Sequence, residues 1–220
     1  MKMRYLFVFF LLMLIGCRGG RTEQKKEVSE SAVKTDSTLL FDGKSLEGWE
    51  ITNFGPQGPV EINNGSIILV MGDGCTGITL KKPFPESDYE VTLEAKRIAG
   101  SDFFCGMTFP AGKSPCTLIV GGWGGGIVGL SCINGRDASE NETTKLMRFE
   151  TDTWYKIRLS VTSTDIRAWI NEENVISFVI GDKKLSIRPE VNLSQPFGIA
   201  SWNTTAALRN IRVNRITNKN

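Results

Sequence analysis

Long stretches of the chain alternate apolar and polar residues with a period of two. Tyr89, Val91, Leu93 and Ala95 are interleaved with Glu90, Thr92, Glu94 and Lys96. Tyr155, Ile157, Leu159 and Val161 alternate with Lys156, Arg158, Ser160 and Thr162, and Ile166, Ala168 and Ile170 with Arg167, Trp169 and Asn171. Successive side chains of a strand point to opposite faces, so this spacing predicts strands with one face in a core and one in solvent. Asn171-Glu172-Glu173-Asn174 supplies a turn into Val175–Ile180, which predicts a hairpin. Further strands are expected at Ser66–Val70, Cys75–Lys81, Phe103–Phe109, Cys116–Gly121, Ile127–Ile133, Phe197–Trp202 and Leu208–Arg215. No stretch beyond residue 38 sustains a helical period, and the 23 glycines and eight prolines fall mostly between the strand-like runs. The expected fold class is therefore all-β, an antiparallel β-sandwich.

The first residues follow another rule. Lys2 and Arg4 precede an unbroken apolar run from Tyr5 to Ile15. At about 1.5 Å per residue, that run reaches about half way across a ~30 Å hydrocarbon core, so it reads as a signal h-region rather than a membrane span. Leu14-Ile15-Gly16-Cys17 resembles the bacterial lipobox, which implies that Cys17 is acylated and becomes the first residue of a lipoprotein. Residues 1–16 are then a signal peptide. Residues 17–38 are a lipidated N-terminus and tether, polar and without aromatics, unable to bury enough apolar surface to order themselves. Residues 39–217 form the sandwich domain, and 218–220 a short tail. The expected location is the bacterial cell envelope. Arg18-Gly19-Gly20 offers no acidic retention cue, which tilts the expectation toward the outer membrane.

Composition narrows the chemistry. Charge is close to balanced, at +2, with no basic stripe, so nucleic acid is not an expected partner. Histidine is absent, which removes the usual neutral-pH base, every Ser-His or Cys-His pair and any His-built zinc site. With Cys17 assigned to lipid, Cys75, Cys105, Cys116 and Cys132 remain. They allow two disulfides in three connectivities, or four buried apolar thiols; Cys105, Cys116 and Cys132 sit among large hydrophobes, which favours the thiols.

Several motifs carry candidate chemistry. Gly72–Gly77 and Gly124–Gly129 each match GxGxxG, but both run into strand-like sequence where a dinucleotide site needs a helix. Trp123, alone among Gly121, Gly122, Gly124, Gly125 and Gly126, can serve as a flat platform for a sugar ring, or can cover the edge of the core. Asp137-Ala138-Ser139-Glu140-Asn141-Glu142 concentrates acids after an expected strand. If extended, it sets Glu140 and Glu142 on one side about 6.6–6.8 Å apart, a spacing open to glycoside chemistry or to oxygen ligation of Ca²⁺; the alternative is a solvated acidic loop. No cofactor is otherwise expected.

The expected domain opens with Leu40-Phe41-Asp42-Gly43-Lys44-Ser45-Leu46-Glu47-Gly48-Trp49 and closes with Pro196-Phe197-Gly198-Ile199-Ala200-Ser201-Trp202 and Leu208-Arg209-Asn210-Ile211-Arg212-Val213. Between them lie Asp88-Tyr89-Glu90, Trp154-Tyr155-Lys156-Ile157 and Trp169-Ile170-Asn171. These segments resemble the 3-keto-disaccharide hydrolase family over essentially the whole domain. The resemblance implies a laminin-G or concanavalin-like jelly roll. It also implies cleavage of glycosidic bonds in sugars already oxidised at C3, where the ketone acidifies the C2–H and the leaving group departs by elimination before water adds. Such chemistry needs a base at C2 and a stabiliser for the enolate.

No catalytic set carries over, because the family often has an Asn-Ser-Gly-type turn where this chain reads Ser101-Asp102-Phe103. It also often has glutamine and histidine near Ser201-Trp202-Asn203. Local chemistry instead nominates Asp102, Glu140 or Glu142 as base and Lys113 or Arg158 as oxyanion stabiliser. Trp123, Asn141, Trp202 and Asn203 are nominated to hold the sugar. Asp102 could equally cap a turn, and Arg158 could line a solvated strand face. The expected function is that of an envelope-anchored carbohydrate-active protein, a hydrolase or lyase. The alternatives are a non-catalytic glycan-binding lipoprotein and an interaction domain. Its expected partners are an oligosaccharide or 3-keto-glycoside and, through the lipid, a membrane.

Overall fold

The computed structural model of the chain describes residues 37–217. The expected signal peptide, Cys17, most of the expected tether and residues 218–220 lie outside them. In chain order the strands are β1 (Ser37–Leu39), β2 (Trp49–Ile51), β3 (Val60–Asn63), β4 (Ser66–Leu69), β5 (Cys75–Leu80), β6 (Tyr89–Gly100), β7 (Cys105–Ala111) and β8 (Ser114–Gly122). There follow β9 (Ile127–Ser131), β10 (Lys145–Leu146), β11 (Tyr155–Val161), β12 (Asp165–Ile170), β13 (Glu173–Val179), β14 (Gly198–Trp202) and β15 (Thr204–Arg215). A 3₁₀ helix, Pro189–Ser194, precedes β14. Among the described residues, no helix is long and apolar enough to cross a membrane.

Every pairing is antiparallel. An eight-stranded sheet runs β13-β12-β11-β6-β15-β4-β3, with β1 also on β15, and a seven-stranded sheet runs β10-β9-β8-β7-β14-β5-β2. The result is the antiparallel sandwich expected from the strand pattern, in the jelly-roll form that the family resemblance implies. Asn171 and Glu172, both at positive φ, make the tight turn between β12 and β13, so the predicted hairpin forms with the turn that matches strand twist.

The two sheets treat water differently. Along β6, β11 and β12 burial alternates residue by residue, with Val91, Leu93, Ile157, Leu159 and Ile166 inward and charged residues outward. β5 and most of β7 and β8 are buried on both faces. Their inner residues, among them Ile78, Met107, Phe109, Leu118 and Val120, complete the main core against the eight-stranded sheet. Their outer residues belong to a second apolar cluster built from Cys75, Phe103, Ile119, Ala138, Val191 and Ala200. Val191 comes from the 3₁₀ helix, so a wall of irregular chain covers part of this outer face.

Some expectations need correction. Ser37 and Thr38, placed in the tether by composition, pair with Asn214 and Val213 of β15, because a polar strand at a sheet margin leaves no apolar signature. Phe103 and Phe104 precede β7 rather than opening it, and β2, β3 and β10 are short strands whose exposed residues hide the pattern. Cys75, Cys105, Cys116 and Cys132 are all free and buried, as apolar thiols would be. Burial pushes Cys105 and Cys116 up to about 12, so they are not nucleophiles.

Phe109 is fully buried between the sheets. Phe109→Ala is expected to cost about 3–5 kcal/mol in urea unfolding. A loss below about 1 kcal/mol would show that stability does not lie in this interface.

Candidate functional site

The outer face of the seven-stranded sheet holds an open pocket of about 210 Å³. Thr117 and Ile119 of β8 and Ser131 of β9 line it from the sheet. Cys75, Phe103 and Trp202 line one flank, Arg188, Glu190 and Val191 bring in the 3₁₀ wall, and Asp102 and Trp123 come from two loops at the strand ends. Phe103 and Trp202 lie with ring centroids 6.5 Å apart, and Trp123 is 41% exposed. A pocket with two indoles, a small polar floor and a few charged groups has the lining of a small-molecule site.

Asp102 is fixed by its surroundings. Its Oδ1 accepts the backbone N–H of Phe103 at 2.7 Å and that of Trp123 at 3.2 Å. Its own amide donates to Thr204 Oγ1 at 3.1 Å. Both loops are also tied to Arg97, which reaches across from β6 and is 6% exposed. Its Nη2 faces the carbonyl oxygens of Asp102, Gly121 and Gly125 at 3.0–3.1 Å, and its guanidinium lies over the Phe104 ring. Burial lowers the Arg97 pKa, with the nearby Asp102 charge opposing that shift. Gly121 sits at φ +79° with its Cα against this nitrogen, and a Cβ there would fall 2.7 Å from it. Glycine is required here by both conformation and space.

The second charged element is a clamp. Arg188 bonds Asp137 Oδ2 through Nη1 at 2.6 Å and Glu190 through Nη2 and Nε at 2.8 and 3.3 Å. Three of the five guanidinium N–H groups are thus engaged, leaving one on each terminal nitrogen. The hydrogen bond from Arg188 holds Glu190 below the ordinary carboxylate range, and Glu190 and Asp137 together raise Arg188. Burial, with the Glu190 charge adding to it, pushes the Cys75 thiol up to about 12.

A family model described as the 3-keto-alpha-glucoside-1,2-lyase-like domain matches residues 36–214. The chain belongs to this family. No curated protein matches the chain. Among solved structures, it is similar to a galectin-like protein of unknown function from Bacillus subtilis at a TM-score of 0.59 and 11% identity, covering 83% of this chain and 96% of that one. Crh5 transglycosylase gives a TM-score of 0.57 at 14% identity, covering 85% and 86%. The carbohydrate recognition domain of Emp46p gives 0.53 at 11% identity, covering 80% and 94%. At such identities the likeness shows the fold, and the family match makes the domain a carbohydrate-related one.

Of the residues nominated from sequence, this lyase-like domain brings Asp102, Trp123 and Trp202 together in the pocket. Asn203 stands beside them but holds the Gly74 loop, accepting the Gly74 N–H through Oδ1 at 2.8 Å. The others lie elsewhere. Lys113, in the β7–β8 turn, pairs with Glu86 at 2.8 Å. Arg158 is on the outer face of the eight-stranded sheet, 3.6 Å over the Trp169 ring and bonded to Glu90 at 3.1 Å. Residues 138–143 form turns rather than a strand, so Glu140 and Glu142 lose their expected alternation. Glu142 pairs with Lys183 at 2.9 Å, whose hydrogen bond lowers its pKa. Asn141 is the structural centre of that turn, donating to the carbonyls of Leu130, Arg136 and Asp137. Among the described residues, no group of three His, Cys, Asp or Glu side chains is arranged to hold a metal ion. Arg97, Asp137, Arg188 and Glu190 were not nominated. The only signal for the last two was an Arg-Pro-Glu step inside the long irregular stretch before β14, where binding groups often reside.

Because Glu190 titrates below its ordinary value of 4.5, its contribution to stability is present above that value and lost as pH falls through the lowered one. Glu190→Gln is expected to flatten the acid limb of melting temperature against pH by about 1–3 °C, the pair being partly solvated. An unchanged acid limb would show that the clamp is not formed in solution.

Proposed function

We propose that the pocket on the seven-stranded sheet binds a 3-keto-glycoside and cleaves its glycosidic bond by elimination followed by hydration. The observation that carries this reading is the convergence of Asp102, Arg188, Trp123 and Trp202 on one pocket. The indoles offer apolar faces to the C–H side of a pyranose. Asp102 Oδ1 is taken up by two amides, and among the described residues no hydrogen bond reaches Oδ2, which leaves that oxygen to accept the acidified C2 proton. As the C2–H pair moves toward C3, the ketone oxygen becomes an enolate. The two unengaged N–H groups of Arg188 are then the stabilising donors.

Reclosure of the carbonyl pushes the electron pair into a C1–C2 double bond and expels the C1 leaving group, whose oxygen takes a proton from solvent. Water then adds, its oxygen bonding C1 while Asp102 returns its proton to C2 and the surplus water proton goes to solvent, which releases the free 3-keto-sugar and restores the carboxylate. Arg188 takes the part that sequence gave to Lys113 or Arg158, and Asp102 takes the part shared with Glu140 and Glu142. The family match supports this chemistry, and two fold neighbours, a transglycosylase and a carbohydrate recognition domain, support a carbohydrate ligand alone.

Asp102→Asn is expected to lower turnover of a 3-keto-glucoside by about 10²–10⁴-fold while leaving binding within about threefold. Glu142→Gln, exposed and away from the pocket, should turn over like the parent. Binding of sugar without turnover in the parent chain would establish the glycan-binding alternative and overturn catalysis. Absence of both would overturn the site.

The reading also places the domain on a lipid anchor at the bacterial envelope, supported by the lipobox-like sequence ending in Cys17. Cells expressing the chain and fed labelled palmitate are expected to label it, and Cys17→Ser to abolish the label. Equal labelling of the two would overturn the anchor.

A further inference from the structure

We infer that Asp137 is a positioning residue for the enolate step, fixing the aim of Arg188 without touching the substrate; this rests on the proposed part of Arg188 as stabilising donor. Arg188 and Ser131 line the pocket, and Asp137 does not. Its carboxylate joins the two. Oδ2 takes Arg188 Nη1 at 2.6 Å, while Oδ1 receives Ser131 Oγ and Cys132 Sγ, each at 3.4 Å. The carboxylates on Arg188 play different parts. Glu190 takes Nε and Nη2, on one edge of the guanidinium, and lies two residues along the same segment. Two bonds to one carboxylate set an axis about which the guanidinium plane can still rock. Asp137 takes the remaining nitrogen from a turn 51 residues away in the chain. Three points define a plane, so the Asp137 bond is the one that stops the rocking.

The backbone of the wall is held without this carboxylate. Cys132 and Ser186 exchange backbone hydrogen bonds at 2.6 and 3.1 Å, and the Asn134 N–H donates to the Lys184 carbonyl at 2.8 Å. Thr79 Oγ1 donates to the Leu193 carbonyl at 3.0 Å, and Val191 is buried in the outer apolar cluster. The turn that carries Asp137 is independent of the carboxylate too. It is the Asp137 carbonyl that accepts Asn141 Nδ2 at 2.7 Å and the Glu140 N–H at 3.0 Å. What the carboxylate adds is the direction of one side chain: Asn141 places Asp137, and Asp137 places Arg188. The acid-rich run after β9 thus serves the site through Asp137 and not through Glu140 or Glu142, which do not line the pocket.

A carboxylate against Arg188 also weakens the positive field that an enolate would meet, so its removal acts in two opposed directions. A neighbouring charge in a partly solvated site changes energies little. Misplacing a donor by about 1 Å can cost about 10²-fold in rate, so loss of aim is expected to win.

The test uses the full chain and a 3-keto-glucoside, with kcat and KM measured separately. Asp137→Ala is expected to lower kcat about 10–100-fold with KM within about threefold. Asp137→Ser, too short to reach Nη1, is expected to give the same loss. Asp137→Asn keeps an oxygen that can accept Nη1 and removes only the charge, so kcat should recover to within about fivefold of the parent. In an Arg188→Ala background, Asp137→Ala is expected to lower kcat no further. Unchanged or raised kcat in Asp137→Ala and Asp137→Ser, or the same loss with and without Arg188, overturns the positioning role while the part of Arg188 stands. A parent chain without turnover, or turnover unchanged in Arg188→Ala, overturns both.

Discussion

A guanidinium removed from water must be given acceptors, and much of this molecule's working end is arranged around the one that is. Arg97 leaves β6 of one sheet and places its nitrogen among three carbonyls of the other's margin, those of Asp102 and Gly125 in loops and that of Gly121 at the end of β8. Burying a cation without partners would cost several kcal/mol. The loops therefore cannot relax away from it cheaply, and it cannot leave them. Because one of those carbonyls is that of Asp102 and the other two flank Trp123, the same constraint sets the positions of the acid and the indole. The Trp123 amide on Asp102 Oδ1 closes the arrangement from the other side.

Sequence legibility followed solvent. Where a sheet keeps a wet face, as along β6, β11 and β12, charged residues at every second position announce the strand and its inward side. Where both faces are dry, as in Cys75–Leu80 and Ser114–Gly122, the alternation fades and only the β-branched character remains. That loss is itself informative, since the face whose polar signal is missing is the one that carries the pocket. Asp102, Trp123 and Trp202 could be nominated because an acid ahead of an apolar strand and aromatics beside glycine or at a strand end stand out locally. Arg188 and Asp137 could not, because they are 51 residues apart and meet only when the 3₁₀ wall folds over the sheet. Glu140 and Glu142 looked paired only under the assumption of extended backbone, and the Asn141 turn replaces that geometry.

The absence of histidine is compatible with this arrangement. A proton next to a ketone is acidic enough to be moved by a carboxylate, provided that the charge passed to oxygen is met by fixed donors. In the proposed reaction Arg188 serves as such a donor, its plane held by two carboxylates. Their cost to its positive field is the counterpart of its rigidity: the group is well aimed and partly neutralised at once.

The strand pairing of Ser37 with Asn214 fastens the beginning of the described chain to its last strand. At the other end of β15, Thr204 holds the Asp102 amide. Contacts so distant in sequence close slowly, because loop entropy is lost before they return any energy. The acid of the pocket and the entry strand of the domain thus wait on the same late event. A chain emerging from its N-terminus can build hairpins early, yet the Asp102 loop is not held until β15 has arrived.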